Sequence, residues 1–191
     1  LPNGSLDIFC MHIDKGYLWI GTTTNGVYRL NIDKKELEHP IRKGNIISFY
    51  RDSGGELWIG SWEEGLFHVK TNGKIENFKY DAKNPHSLSS NFVRACCEDN
   101  LGNIWIGTFN GLNRYNKSTG LFQNHTANDI QSDGLTHSSI WCIVKDNQGT
   151  LWLGTYFGGV NYFNPEYEIY TRYKVGDTEK EGLSSPIVGR M

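Results

Sequence analysis

Charge of one sign is the first thing this chain lacks. Its 191 residues carry 19 basic and 21 acidic side chains, a formal charge of −2, so no field draws it to nucleic acid or to an anionic membrane surface. No apolar run approaches the ~18 residues that a membrane-crossing helix needs, and no direct membrane contact is expected of this segment. Leu1-Pro2-Asn3-Gly4 opens directly into folded-looking sequence, without a leader pattern. Cysteine is sparse: Cys10, Cys96, Cys97 and Cys142 show no Cys-x-x-Cys spacing. Each lies in an apolar run ahead of an Asp/Gly turn, the setting of a buried free thiol rather than a disulfide framework. The histidines His12, His39, His68, His86, His125 and His137 form no i, i+2 or i, i+4 pair, so converging metal ligands are not expected. There is no Gly-x-Ser-x-Gly elbow, P-loop or Gly-x-Gly-x-x-Gly run. Glu63-Glu64 is an adjacent carboxylate pair. Glycoside hydrolysis needs two carboxyls facing each other about 5–10 Å apart, which neighbours in a turn rarely supply. The expectation is a non-enzymatic chain with no catalytic residue, no metal and no cofactor.

What is abundant is glycine and aromatics, with 22 glycines and 25 Phe, Trp and Tyr residues, the balance of a β-rich chain with many tight turns. They fall into one sentence written four times: Gly16-Tyr-Leu-Trp-Ile-Gly21, Gly55-Glu-Leu-Trp-Ile-Gly60, Gly102-Asn-Ile-Trp-Ile-Gly107 and Gly149-Thr-Leu-Trp-Leu-Gly154. The Trp-to-Trp spacings are 39, 47 and 47 residues, a period typical of β-propeller blades. In the third copy, residues 92–98 form a first strand, and Asp99-Asn100-Leu101-Gly102 supplies turn chemistry. Strands at 104–108, 112–115 and 121–125 follow, making a four-stranded antiparallel meander. Along Leu57-Trp58-Ile59-Gly60 the pleat puts Trp58 and Gly60 on one face and Leu57 and Ile59 on the other. Both faces are therefore apolar, as stacked blades require. The glycine is expected to make room for the indole, and the four repeat tryptophans to be core. In the first copy Asp14 stands five residues before Trp19, whereas Asp52, Asp99 and Asp146 stand six before theirs.

The fold class is therefore all-β. Blades are expected at about 5–43, 44–87, 88–134 and 135–182, with 183–191 starting a fifth, since Leu183-Ser184-Ser185-Pro186-Ile187-Val188 copies Leu88-Ser89-Ser90-Asn91-Phe92-Val93. This describes an arc of a larger propeller whose end blades leave apolar faces to be covered. The rest of a parent propeller would cover them, or a second copy in a homodimer.

The run Leu-Ser-Ser-x-x-Val, then Asp-x-x-Gly-x-Leu/Ile-Trp-Ile-Gly-Thr, then Gly-Leu-x-Arg-Tyr, fullest over residues 88–115, resembles the two-component regulator propeller repeat. An Asp-box is excluded, because two residues, not one, lie between Asp99 and Gly102 and between Asp146 and Gly149. The resemblance implies seven-bladed propellers in the periplasmic part of inner-membrane hybrid sensor histidine kinases of Bacteroidetes, many of which respond to oligosaccharides. It makes an oligosaccharide or other small molecule the expected ligand. A protein-interaction scaffold and a carbohydrate-active propeller enzyme are the alternatives.

A meander puts the second-to-third-strand turns on the same side as the blade-to-blade connections. The turns are Thr22–Asn25, Ser61–Glu64, Thr108–Asn110 and Thr155–Gly158. The connections include Asp81–Asn91, Thr126–Ser139 and Gly176–Pro186. On that rim the turns carry Trp62, Glu63, Glu64, Phe109, Asn110, Tyr156 and Phe157, aromatics with polar neighbours that suit sugar rings. Asn91 and Arg94, where the third blade's inner strand begins, complete the candidate ligand-binding set.

Overall fold

A computed structural model of the chain describes residues 7–127, 134–173 and 183–189. Among these residues there is no helix; sixteen strands form four antiparallel four-stranded sheets. Blade one is β1 (Ile8–Asp14), β2 (Tyr17–Thr22), β3 (Val27–Asn31) and β4 (Leu37–Ile41). Blade two is β5 (Ile46–Arg51), β6 (Leu57–Ser61), β7 (Leu66–Val69) and β8 (Ile75–Phe78). Blade three is β9 (Val93–Glu98), β10 (Ile104–Thr108), β11 (Gly111–Asn116) and β12 (Leu121–His125). Blade four is β13 (Ile140–Lys145), β14 (Leu151–Thr155), β15 (Val160–Asn164) and β16 (Ile169–Tyr173). The propeller-blade architecture expected from the repeats is the one observed. Residues 128–133 of the expected connection Thr126–Ser139 and 176–182 of Gly176–Pro186 lie outside the described residues, as do Arg190 and Met191.

The core lies between blades. Trp19, Val27 and Ile46 pack with Leu57 and Ile59 between blades one and two. Trp58 and Leu66 meet Val93, Ile104 and Ile106 between two and three. Trp105 and Leu112 meet Ile140, Leu151, Leu153 and Phe163 between three and four. Each Trp therefore faces the following blade and each Leu/Ile pair the preceding one, as the pleat requires. Trp152, on the face turned away from blade three, is only half-buried. The outward face of β1 is open, with Phe9, Met11 and Ile13 more than half exposed.

The repeated glycine makes room for something other than the indole. A Cβ on Gly21 or Gly107 would lie 2.7 Å from the Ile46 or Ile140 side chain, and one on Gly60 or Gly154 would lie 2.7 Å from the Val93 or Val188 carbonyl. Each glycine is the seat for the residue that opens the next blade. Beside it, the turn glycine donates its N–H across the blade boundary: Gly26 to the Gly44 carbonyl (2.9 Å), Gly65 to Asn91 (3.0 Å), Gly111 to Ser138 (2.6 Å) and Gly159 to Pro186 (2.9 Å). Gly65 needs to be glycine twice over, since its φ is +78° and a Cβ would lie 2.2 Å from the Phe78 carbonyl oxygen. Described residues 183–189 form no strand, yet Val188 occupies the seat on Gly154 as Val93 does on Gly60.

The turn aspartates hold the repeat tryptophans. The indole N–H donates to Asp Oδ2 in three blades, Trp58 to Asp52 (2.9 Å), Trp105 to Asp99 (2.7 Å) and Trp152 to Asp146 (3.0 Å), while Oδ1 accepts a turn amide. Blade one has a two-residue hairpin instead, with Lys15 and Gly16 both at positive φ. This draws Asp14 into β1, where it pairs with Arg51 of blade two, and the Trp19 indole N–H is left without an acceptor.

Other polar pairs cross the lower edges of the blades, and they differ at each boundary. Lys117 of blade three reaches Asp52 of blade two (2.9 Å) as well as its own Glu98 (2.8 Å), and Glu98 also accepts the Ser53 amide (2.7 Å). Between blades three and four, Arg114 pairs with Glu168 (3.0 Å) and Lys145 donates to Asn100 (3.2 Å). Burial alone would raise the pKa of Asp52 and Glu98. Hydrogen bonds from Trp58 and Lys117, and from Lys117 and Ser53, hold them below the ordinary carboxylate range.

Asp99 accepts hydrogen bonds from the Leu101 and Asn103 amides, the Asn103 side chain and the Trp105 indole. Asp99→Ala should therefore lower unfolding free energy by about 2–4 kcal/mol in urea denaturation; a loss below about 0.5 kcal/mol would show that the carboxylate is not the turn's anchor. The depressed pKa values of Asp52 and Glu98 contribute stability that is present above their unfolded values near 4 and lost as pH falls through the lower folded values. Lys117→Met should reduce stability at neutral pH and flatten its acid dependence below about pH 5. Unchanged acid melting would mean that Lys117 is only a surface ion.

Candidate functional site

Each inner strand carries the same irregularity at its start. The pairing skips one residue between Ile8 and Cys10, Ile46 and Ser48, Val93 and Ala95, and Ile140 and Cys142. These are β-bulges, and a bulge re-aims the extra side chain. The four bulged residues, Phe9, Ile47, Arg94 and Trp141, all line one cavity of about 490 Å³. Gly189, next after the seated Val188, lines it too. The seat residue before each bulge is always Ile or Val, whereas the bulged residue is different in every blade.

A second ring lies just above, formed by the first residue after each Thr/Ser that ends β2, β6, β10 or β14: Thr23, Trp62, Phe109 and Tyr156. The Trp62, Phe109 and Tyr156 amides donate to the carbonyls of Asn45, Phe92 and Ser139, which precede the inner strands. The Ser61, Thr108 and Thr155 hydroxyls close the same turns by donating to Gly65, Gly111 and Gly159 carbonyls. Hairpin turn and blade connection are thus tied together on one rim.

The two rings meet at Arg94. Its guanidinium lies 4.0 Å from the Trp141 ring centroid, 4.9 Å from Trp62 and 5.9 Å from Phe109, within cation–π range of all three. Trp141 stacks on Tyr156 (5.2 Å, 11°), and Tyr156 meets Phe157 edge-on at 4.2 Å. Trp62 meets Phe92 edge-on at 5.5 Å. Burial lowers the Arg94 pKa, and its Nε and Nη1 are buried without a hydrogen-bond partner. The remaining wall is apolar or weakly polar, with Phe49, Ile143 and Val144 beside Ser48, Cys96 and Cys142.

Of the residues expected from sequence, Trp62 and Arg94 line the cavity, and Phe109, Tyr156 and Phe157 stand around its mouth. Glu63 and Glu64 line a separate depression with Thr23 and Asn45. There Glu64 binds Lys79 (2.7 Å) and Lys43 (2.9 Å), which hold its carboxyl below the ordinary range. Asn91 is spent on the backbone, accepting the Tyr80 amide at its side chain and the Gly65 amide at its carbonyl. The Asn110 amide is bound by the Thr108 hydroxyl within the turn, and neither asparagine lines the cavity. Trp141, Phe9 and Ile47 were not expected. The available signal was the position after each seat residue, which varies while its neighbours repeat.

Among the described residues no group of three His, Cys, Asp or Glu side chains converges as a metal site. Cys10, Cys96 and Cys97 are free thiols, and burial pushes the Cys10 thiol up to about 12, which leaves it unreactive near neutrality.

The two-component regulator propeller family matches three stretches, residues 40–63, 87–110 and 134–157. Each of the three stretches is thus similar to a two-component regulator propeller repeat. Each matched stretch contains one bulged residue and one upper-ring residue: Ile47 with Trp62, Arg94 with Phe109, and Trp141 with Tyr156. Among solved structures, the chain is similar to the extracellular domain of a B. thetaiotaomicron protein assigned as a hybrid two-component system. They share 23% identity at a TM-score of 0.75, over 99% of this chain and 25% of that one. A second such B. thetaiotaomicron domain gives 16% identity and a TM-score of 0.73 over 89% of this chain and 25% of that one. Virginiamycin B lyase from Staphylococcus aureus gives 14% identity and a TM-score of 0.71 over 95% and 60%. At these identities the likeness is one of fold alone, and the chain spans about a quarter of the two extracellular domains. No curated protein matches the chain.

The two kinds of tryptophan should separate on mutation. Trp58→Ala and Trp105→Ala, at fully buried side chains, should each cost about 3–5 kcal/mol. Trp62→Ala and Trp141→Ala should each cost about 2 kcal/mol or less, because one side of each ring meets the cavity. Chemical denaturation would measure both pairs. Equal losses would make the cavity tryptophans plain core.

Proposed function

We propose that this chain forms part of the extracytoplasmic sensing region of a hybrid two-component sensor and recognises an oligosaccharide at the aromatic mouth of its central cavity. The observation that carries this is the arc Trp62–Arg94–Trp141–Tyr156, flat π surfaces set around a cavity large enough for a sugar unit. Sugar rings present apolar C–H faces to aromatics and hydroxyls to polar groups, so a wall mostly aromatic with a few donors suits them. The repeat family and the fold shared with extracellular domains of B. thetaiotaomicron proteins support an extracytoplasmic sensor. On this reading the chain lies in the periplasmic part of an inner-membrane protein that signals to a histidine kinase. The activity is binding without turnover, and the lyase likeness bears on fold only.

Calorimetric titration with a panel of neutral and acidic oligosaccharides should give saturable binding. Trp62→Ala or Trp141→Ala should weaken it about tenfold or more at an unchanged circular dichroism spectrum, and the sugar should be recovered intact by chromatography. Binding by no member of the panel would overturn the sensor assignment, and cleavage of the bound sugar would replace it with an enzyme.

A further inference from the structure

The arginines of this propeller divide into two kinds. Arg51 binds Asp14 and the Gly55 carbonyl (2.5 Å), Arg29 binds Glu38, Arg114 binds Glu168 and Gln123, and Arg172 donates to the Gly134 carbonyl (2.8 Å). Each of these has an oxygen acceptor. Arg42 is exposed. Arg94 differs from all of these: two of its nitrogens are buried without an acceptor, and its guanidinium lies over the faces of Trp62, Trp141 and Phe109. Removing a charge from water costs several kcal/mol unless it is paired and hydrogen-bonded. Cation–π contacts offset only part of that cost. Among the described residues no carboxylate lines the cavity, and Arg94 is the only charged residue there. Glu64, a nearby rim carboxylate, is committed to Lys43 and Lys79. Among the described residues the cavity therefore holds one positive charge, and two of its buried donors are left without an acceptor.

The position of that charge is also informative. Phe9, Ile47, Arg94, Trp141 and Gly189 occupy equivalent places around the cavity, so backbone geometry accepts widely different side chains there. Arginine is not required by the fold at the bulge. It can be explained by what the cavity receives.

We propose that the cavity takes an acidic sugar, a glycan unit bearing a carboxylate or sulfate, with its anionic group accepting hydrogen bonds from Arg94 and its ring against Trp62 or Trp141. This rests on the sensor assignment above and narrows its ligand class. A neutral sugar would offer Arg94 only hydroxyl oxygens. An anionic oxygen forms the shorter, charge-assisted bond and neutralises the site.

The test is calorimetry on the wild-type protein with matched probes. These are oligomers of galacturonate and of glucuronate, their methyl esters, and a sulfated disaccharide with its desulfated form. At least one acidic probe should bind about tenfold or more tighter than its neutral counterpart, with the gap narrowing as salt rises from about 50 to 500 mM. Preference for uronates would identify the carboxylate and preference for the sulfated disaccharide the sulfate. Arg94→Gln should abolish the gap, and Arg94→Lys should keep part of it. Should Arg94→Gln fail to fold, the ester and desulfation comparisons on the wild-type protein still decide. Neutral probes binding as well as acidic ones would overturn this inference and leave the sensor assignment standing. Binding by no probe of either kind would overturn both.

Discussion

An isoleucine or valine resting on a glycine of the blade before is the contact on which this structure depends. At Gly21, Gly60, Gly107 and Gly154 the missing Cβ is the space into which the opening residue of the next inner strand settles, at Ile46, Val93, Ile140 and Val188. That approach brings the following blade connection within hydrogen-bond reach of the turn glycine, and the four latches from Gly26, Gly65, Gly111 and Gly159 follow. The apolar slabs then close on either side of each Trp. Close packing makes such a seat intolerant of even one added methyl group, so blade spacing is fixed at the glycine.

The same seat also positions the cavity. Once the opening residue is fixed, the bulge that follows can turn its side chain only toward the axis, whatever that side chain is. Scaffold and cavity lining are thereby separated within two adjacent residues: the first is Ile or Val in every copy, while the second ranges from Gly to Trp. A ring of variable groups held by an invariant backbone is how rigid scaffolds carry changing specificities. Arg94 stands on such a support, with its neighbours Trp62 and Trp141 supplied by the blades on either side.

The repeat made the blades, their order and the meander legible in sequence, because turn chemistry and strand period agreed in all four copies. The glycine's partner was less visible. Reading along a strand reveals only same-face neighbours such as Trp58, whereas the residue that needs the space, Val93, lies in the next blade. Trp141 was missed for a related reason: strict alternation hides a bulge, and a tryptophan after Ile140 reads as ordinary strand. The bond from each turn aspartate to its indole could have been inferred from the shared six-residue spacing. The displaced Asp14 marked the exception, and Trp19 is the repeat indole left without its acceptor.

Identical seats would let any blade follow any other, and a chain of near-copies risks assembling out of sequence. The lower-edge pairs differ at each boundary: Asp14 with Arg51, Asp52 with Lys117, and Glu168 with Arg114 beside Asn100 with Lys145. A blade placed beside the wrong neighbour at the first two boundaries would keep its apolar fit but strand a largely buried charge. The lower edge thus works as a set of addresses. It distinguishes one boundary from the next where the apolar seats repeat, and does so most strongly where Asp14, Arg51 and Asp52 are largely buried.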